Sequence, residues 1–206
     1  MKKISVLIAD DHAVVRTGLA AMLGAEKDIV VTDQAKNGKE AVAKALSNPP
    51  DVIVMDLRMP EMDGVEATVE LQRQLPSARI LVLTSFGEAD DVAHALEAGA
   101  AGAITKTAED AELVNVVRRI AAGKSYVSPT LRKLIHDNPP VQKLTPRQAE
   151  ILGYIVKGLT NKEIADLLHI RQDSVEEHIN ILFAKIAAAN RAEAVAIALR
   201  KQLVKM

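Results

Sequence analysis

Five short apolar runs, each followed by a longer amphipathic stretch, fill the first 124 residues, and that alternation admits few folds. The runs at residues 4–9, 29–32, 52–55, 80–83 and 103–105 are apolar enough to be buried on both faces. Such strands belong in a parallel sheet flanked by helices. The helical stretches begin near Val14, Lys39, Val65, Ala89 and Glu109, and Asn37 followed by Glu40 is an N-cap signature for the second of them. The pattern predicts an α/β domain of five parallel strands and five helices. No repeat with a period of about 20–50 residues is present, so solenoids and propellers drop out.

The chain continues to residue 206, long enough for a second, smaller domain. Charge divides accordingly. Residues 1–126 hold 14 Lys and Arg against 19 Asp and Glu, a net charge of −5, whereas residues 141–206 hold 10 against 7, a net +3. An acidic half and a basic half should meet different partners. The stretch 125–142 carries Pro129, Pro139 and Pro140, with Asp137 and Asn138 before the pair, and reads as a linker between domains at 1–124 and 143–206. Beyond it the pattern is all helical. Thr145 precedes Pro146 and lies three residues before Gln148, and Thr160 with Glu163 and Asn190 with Glu193 repeat the capping logic. Four short helices are expected, with His169 in a tight turn between the second and third, the arrangement of a helix-turn-helix.

With 49% hydrophobic and 26% charged residues the composition is that of a globular protein rather than a disordered or fibrous one. The absence of cysteine excludes disulfides, thiolate metal sites and a cysteine nucleophile. Neither a signal sequence nor an apolar run approaching the ~20 residues that span a bilayer is evident, so the expected location is the cytoplasm, without membrane association.

Polar residues with chemical potential gather where the proposed strands end, which is where open α/β sheets bind ligands. Asp10 and Asp11 follow the first strand, Asp56 the third, Thr84 the fourth and Lys106 the fifth. A strand-end Asp often only caps a helix, a lone Thr is often structural and a lone Lys is often solvated. Five such positions at one edge are harder to explain that way. Three converging carboxylates repel one another unless a cation sits among them, and hard oxygen ligands suit Mg²⁺. Asp is itself a nucleophile toward phosphorus, Thr84 could hydrogen-bond a phosphoryl oxygen and Lys106 could pair with its charge.

These residues carry a family resemblance. Ile8-Ala9-Asp10-Asp11-His12, Met55-Asp56-Leu57-Arg58-Met59-Pro60-Glu61-Met62-Asp63-Gly64, Leu83-Thr84-Ser85 and Thr105-Lys106 resemble the receiver domain of bacterial two-component response regulators. Leu144-Thr145-Pro146-Arg147, Gly158-Leu159-Thr160-Asn161-Lys162-Glu163-Ile164-Ala165 and Asn190-Arg191-Ala192-Glu193-Ala194 resemble the LuxR-type helix-turn-helix, and the pairing is that of the NarL/FixJ subfamily. The resemblance implies a flavodoxin-like doubly wound receiver and a four-helix DNA-binding domain. It implies phosphoryl transfer from a histidine kinase to Asp56, with Thr84 and Lys106 assisting and Mg²⁺ held by Asp10, Asp11 and Asp56. It further implies a homodimer in the active state and contacts to double-stranded DNA from Lys162, Arg171, Ser174, Glu176, Glu177, Asn180, Lys185 and Arg191. The function expected is a phosphorylation-controlled transcription regulator, not a metabolic enzyme. A haloacid-dehalogenase-type phosphatase would need a second Asp where Arg58 stands.

Three departures qualify the match. The family's aromatic switch, three residues before the Lys, is here Ala103, with Phe86 as a candidate substitute or a packing residue. The proposed recognition helix, residues 171–185, carries two basic and three acidic side chains, although it should enter a groove lined by phosphates. Glu176 could read a cytosine, or Asp173 could cap the helix with Glu176 closing a capping box. His178 could touch phosphate, though a half-buried packing role is the simpler reading. The family's Gly-Val after this helix is Ala187-Ala188, which removes the glycine stop and predicts overrun or fraying. The alternative function is therefore a response regulator with weakened DNA binding that acts mainly on a protein partner through its acidic helix.

Overall fold

The structure, a computed structural model, describes residues 3–85, 89–137, 144–201 and 203–204. The chain forms two compact units, residues 1–140 and 141–206. In the first unit the elements run β1 (Ile4–Ala9), α1 (Ala13–Gly24), β2 (Ile29–Ala35), α2 (Gly38–Ser47), β3 (Val52–Asp56), α3 (Gly64–Gln74), β4 (Ile80–Thr84), α4 (Ala89–Glu97), β5 (Gly102–Thr105), α5 (Asp110–Ala121), β6 (Tyr126–Val127) and α6 (Pro129–Asp137). The second holds α7 (Pro146–Val156), α8 (Asn161–Leu168), α9 (Gln172–Lys185) and α10 (Arg191–Arg200).

The sheet is parallel throughout, in the order β2-β1-β3-β4-β5-β6. Alternate residues of each central strand feed opposite cores. Leu7, Ile53, Met55, Ile80 and Val82 join α2, α3 and α4 through Ala41, Ala67, Leu71, Val92 and Ala95. Val6, Ile8, Val52, Val54, Leu81 and Leu83 join α1 and α5 through Leu23, Leu113, Val117 and Ile120. The order reverses between β1 and β3, which opens the crevice at their carboxyl ends.

Two expectations need correction. The run at 29–32 is not buried on both faces: β2 is the edge strand, alternates in exposure, and leaves Val30 37% exposed. Nor is 125–142 a featureless linker, because Tyr126–Val127 adds a sixth strand to β5 and Pro129–Asp137 folds as α6. Pro129 stands at the first helical position, where its missing N–H costs nothing. Leu131, Leu134 and Ile135 then form an i, i+3, i+4 stripe packed on the receiver core. Pro139 and Pro140 lie outside the described residues.

In the helical unit Thr145 and Gln148, and Thr160 and Glu163, form complete capping boxes, and Asn190 accepts from the Glu193 N–H. Asp63 and Glu66 form a further box on α3 that the sequence reading passed over. His169 adopts φ 51°, the left-handed turn expected between α8 and α9. The helix α9 does not overrun. It stops at Lys185, with the Ala188 N–H bonded to the Phe183 carbonyl at 2.9 Å and Ala187 held at φ 55°. This is the Schellman geometry that favours glycine. An alanine there costs about 1–2 kcal/mol, partly offset because glycine is more flexible when unfolded by about 0.4–1 kcal/mol. Ala187→Gly should therefore stabilise the helical unit by about 1 kcal/mol. A thermal melt in which the transition of this unit does not rise would show that the left-handed alanine carries no strain.

Candidate functional site

The crevice beyond β1 and β3 collects the predicted residues. Asp10, Asp11, His12 and Asp56 each offer a ligand atom, all within 4.8 Å of one another. Asp10 is fully buried, Asp56 is 3% exposed and Asp11 lies at the rim. Lys106 reaches in from the end of β5, with Nζ 2.7 Å from Asp10 Oδ2 and 2.9 Å from Asp56 Oδ2. Thr84 is fully buried at the end of β4, where its carbonyl accepts the Lys106 N–H at 2.8 Å and its hydroxyl donates to the Ser85 carbonyl at 3.0 Å.

Burial pushes the Asp56 carboxyl above its ordinary range. The Lys106 hydrogen bond and charge oppose that shift, and the neighbouring Asp10 charge adds to it. For Lys106 burial acts downward, yet the hydrogen bonds to Asp10 and Asp56 together outweigh it and hold the ammonium above its usual value. Lys106 is thus a fixed cation, and Asp56 is an under-compensated carboxylate. With Asp10, Asp11, Asp56 and Lys106 all ionised, two negative charges remain, the charge of one divalent cation. The three carboxylates of this set fit a hard cation.

Three contributors escaped the sequence reading. His12 donates its backbone N–H to Asp10 Oδ1 at 2.8 Å and places Nδ1 2.8 Å from Asp11 Oδ1. Arg16, four residues on and so one helical turn away, donates to the Asp10 carbonyl at 2.6 Å. Gly64 lets the loop after β3 fold back on Asp56, because a Cβ there would lie 2.2 Å from the Asp56 carbonyl oxygen. Arg58, which sits where a phosphatase would need its second Asp, instead pairs with Asp91 of α4 at 2.7 Å. Ala103 is fully buried, and Phe86 lies outside the described residues.

The residues expected to meet DNA fare unevenly. Lys162, Arg171, Glu176, Glu177 and Asn180 are exposed and Ser174 is half-buried. Lys185 and Arg191 are tied within the domain. Lys185 Nζ donates to Gln148 Oε1 at 3.1 Å, while Arg191 donates to Asn161 Oδ1 at 3.3 Å and to the Leu159 carbonyl. The capping box at the start of α9 does not form. Arg171 occupies the N-cap without a side-chain capping bond, its guanidinium instead pairing with Asp173 at 3.2 Å, and Glu176 accepts from Gln172 at 3.0 Å. Arg171 has no acceptor, and Asp173 already lies inside the first turn, where its charge faces the positive end of the helix dipole. With Val175, Ile179 and Leu182 inward, the periodicity puts Asp173, Glu177, Asn180, Ile181 and Ala184 outward, with Glu176 at the margin. Ile181 is 50% exposed. His178 is half-buried.

Residues 6–118 match the response regulator receiver domain family, and residues 142–198 match the luxR family of bacterial regulatory proteins. The response regulator protein VraR of Staphylococcus aureus is 38% identical over 206 residues, spanning 98% of this chain and 99% of VraR. The crystal structure of ChrA, a response regulator in a heme-sensing two-component system, shares 32% identity over 98% of this chain and 100% of its own, with a TM-score of 0.60. A structure of the response regulator RcsB in complex with DNA, at 21% identity, covers 97% of this chain and 99% of its own with a TM-score of 0.67, a likeness of fold. The chain belongs to the two-component response regulators, with a phosphoaspartate receiver domain followed by a LuxR-type helix-turn-helix domain.

Proposed function

We propose that Asp56 is the phosphoacceptor and that its phosphorylation by a histidine kinase controls a homodimeric, DNA-binding regulator of transcription. The observation that carries this reading is the convergence of a buried carboxylate, Asp56, with one fixed ammonium and two further carboxylates at the carboxyl edge of the sheet. An Asp56 oxygen forms the new P–O bond as the P–N bond of a phosphohistidine donor breaks. The imidazole leaves with the electron pair and takes up a proton. Lys106 meets the growing charge on the phosphoryl oxygens, and Thr84 turns its hydroxyl from the Ser85 carbonyl to one of them. Asp10, Asp11 and Asp56 would hold Mg²⁺, which supplies charge neutralisation at the transferring group. Among the described residues no helix is long and apolar enough to cross a membrane, which fits a regulator working in the cytoplasm.

A second reading is favoured by the tying of Lys185 and Arg191 within the domain, which leaves the outward face of α9 acidic. On it, DNA docking is weak and the helical domain acts mainly on a protein partner. The first reading is tested by incubating the full chain with a small phosphodonor and Mg²⁺ and mapping the modified peptide. Phosphate should fall on Asp56, disappear on chelation, and require higher Mg²⁺ in Asp10→Asn and Asp11→Asn. Phosphate elsewhere, or uptake indifferent to chelation and to both variants, would refute it.

A further inference from the structure

The position that usually carries an aromatic in this family is occupied here by a methyl group, Ala103, on a strand against which β6 and α6 pack. Ala103 pairs with Val127 of β6, its carbonyl accepts the Ser128 N–H at 3.0 Å, and it is fully buried. Leu131 of α6, 2% exposed, belongs to the same apolar cluster as Ala103, together with Val92 and Ala95 of α4 and Val82 of β4. Leu134 and Ile135, on the same face of α6, pack against that cluster.

The neighbouring position is fitted to this arrangement. A Cβ at Gly102 would lie 2.4 Å from the Tyr126 carbonyl oxygen, so β6 can approach β5 this closely only beside a glycine. Tyr126 is anchored in turn, its hydroxyl donating to Glu112 Oε1 at 3.0 Å and its ring lying 5.4 Å from the Arg119 guanidinium. The strand β6 is clamped to α5, whereas α6 beyond Ser128 is held by its apolar stripe against α4 and β5.

Both supports of α6 lead to the phosphorylation site. Ala103 lies three residues before Lys106 on the strand that carries it, and pairs with Val82, two residues before Thr84. The helix α4 begins five residues after Thr84 and is tied by Asp91 to Arg58, two residues past Asp56. We propose that α6 takes the place of the missing aromatic: its Leu131 face packs over Ala103 in the resting protein, and phosphorylation of Asp56 releases α6 from α4 and β5. The coupling rests on Asp56 being the phosphoacceptor; the seat at Ala103 does not. A phosphoryl group draws Thr84 and Lys106 toward Asp56 and moves the start of α4 with them. A close-packed cluster built on Ala95 and Ala103 has no slack to follow continuously, so the contact with Leu131 opens.

Hydrogen exchange of the full chain, read by mass spectrometry, tests this. Beryllofluoride with Mg²⁺, a phosphoryl mimic, should lower the protection of amides 131–137 at least about tenfold while β1 keeps its protection. Without the mimic, Ala103→Tyr should expose the same amides, because the phenol ring claims the space of Leu131. Leu134→Ala, a milder change on the same face, should do so to a smaller degree. Unchanged or increased protection of α6 with the mimic bound would overturn the coupling. Unchanged protection in either variant would overturn the seat at Ala103. If the mimic altered no amide around Asp56, the assignment of the phosphoacceptor would fail, and the two variants would still decide where α6 is held.

Discussion

Asp56→Ala should take up no phosphoryl group from a kinase or a small phosphodonor under conditions that load the wild type fully. The reason is geometric. Asp10 is the other buried carboxylate of the site, and its two oxygens accept from the His12 N–H and from Lys106, which tie it to the loop after β1 and to the ammonium. Asp11 is exposed at the rim, where His12 Nδ1 lies 2.8 Å from its Oδ1, and it makes no ion pair with Lys106 among the described residues. Burial pushes the Asp56 carboxyl above its ordinary range despite the Lys106 bond, as suits a group whose charge is to be met by an incoming phosphoryl group. The 2.7 Å Lys106–Asp10 pair does not involve Asp56, so the variant should remain folded, and loss of uptake would report chemistry rather than unfolding. Intact-mass measurement of both proteins after exposure to the donor, beside their circular dichroism, separates the two. Wild-type levels of uptake in a folded Asp56→Ala protein would mean that another group is the acceptor.

The second large effect concerns DNA. Glu176→Lys should raise affinity for unrelated DNA by about tenfold at low salt and steepen the salt dependence by about one unit of slope, since a repulsion becomes a phosphate contact. The structure sharpens this expectation. Glu176 closes no capping box, its side chain being engaged by Gln172 at 3.0 Å, so its replacement costs the helix little. Lys185 and Arg191, two of the cations expected at DNA from the family resemblance, are bonded to Gln148, Asn161 and Leu159. If Glu176 accepts from a cytosine amino group, the same change raises non-specific binding while losing about 1–3 kcal/mol of discrimination at one base pair. Filter binding or anisotropy at two salt concentrations distinguishes these outcomes. No gain in either affinity or slope would mean that α9 does not face DNA at this position.

Much of this was legible because the receiver writes its fold in short apolar runs and its chemistry at their ends. Asp10, Asp56, Thr84 and Lys106 follow strands whose pairing in a parallel sheet brings them together. Caps such as Asn37, Thr145, Thr160 and Asn190 were equally readable, since a cap and its N–H are three residues apart. What escaped depended on partners distant in sequence. The stripe Leu131, Leu134 and Ile135 is too short to declare a helix by itself, and three prolines nearby argue for a linker until β5 is seen to accept a sixth strand. The bond between Lys185 and Gln148 spans 37 residues, and nothing in residues 171–185 foretells that this lysine is spent internally. The end of α9 misled in the other direction: packing of Ile186 and Ala188 in the helical core imposes on Ala187 a left-handed backbone that its side chain disfavours.

The receiver presents an acid-rich site and the helical domain an α9 whose outward face is poor in cations, and the central expectation is that phosphorylation governs DNA binding. The direct measurement is a titration of the full-length protein with random and genomic DNA at two salt concentrations, before and after phosphorylation, with Asp56→Ala alongside. The unmodified protein should bind random DNA weakly, phosphorylation should strengthen binding to a subset of genomic fragments, and Asp56→Ala should show no response. Tight, strongly salt-dependent binding of the unmodified protein to random DNA, unchanged by phosphorylation, would contradict it.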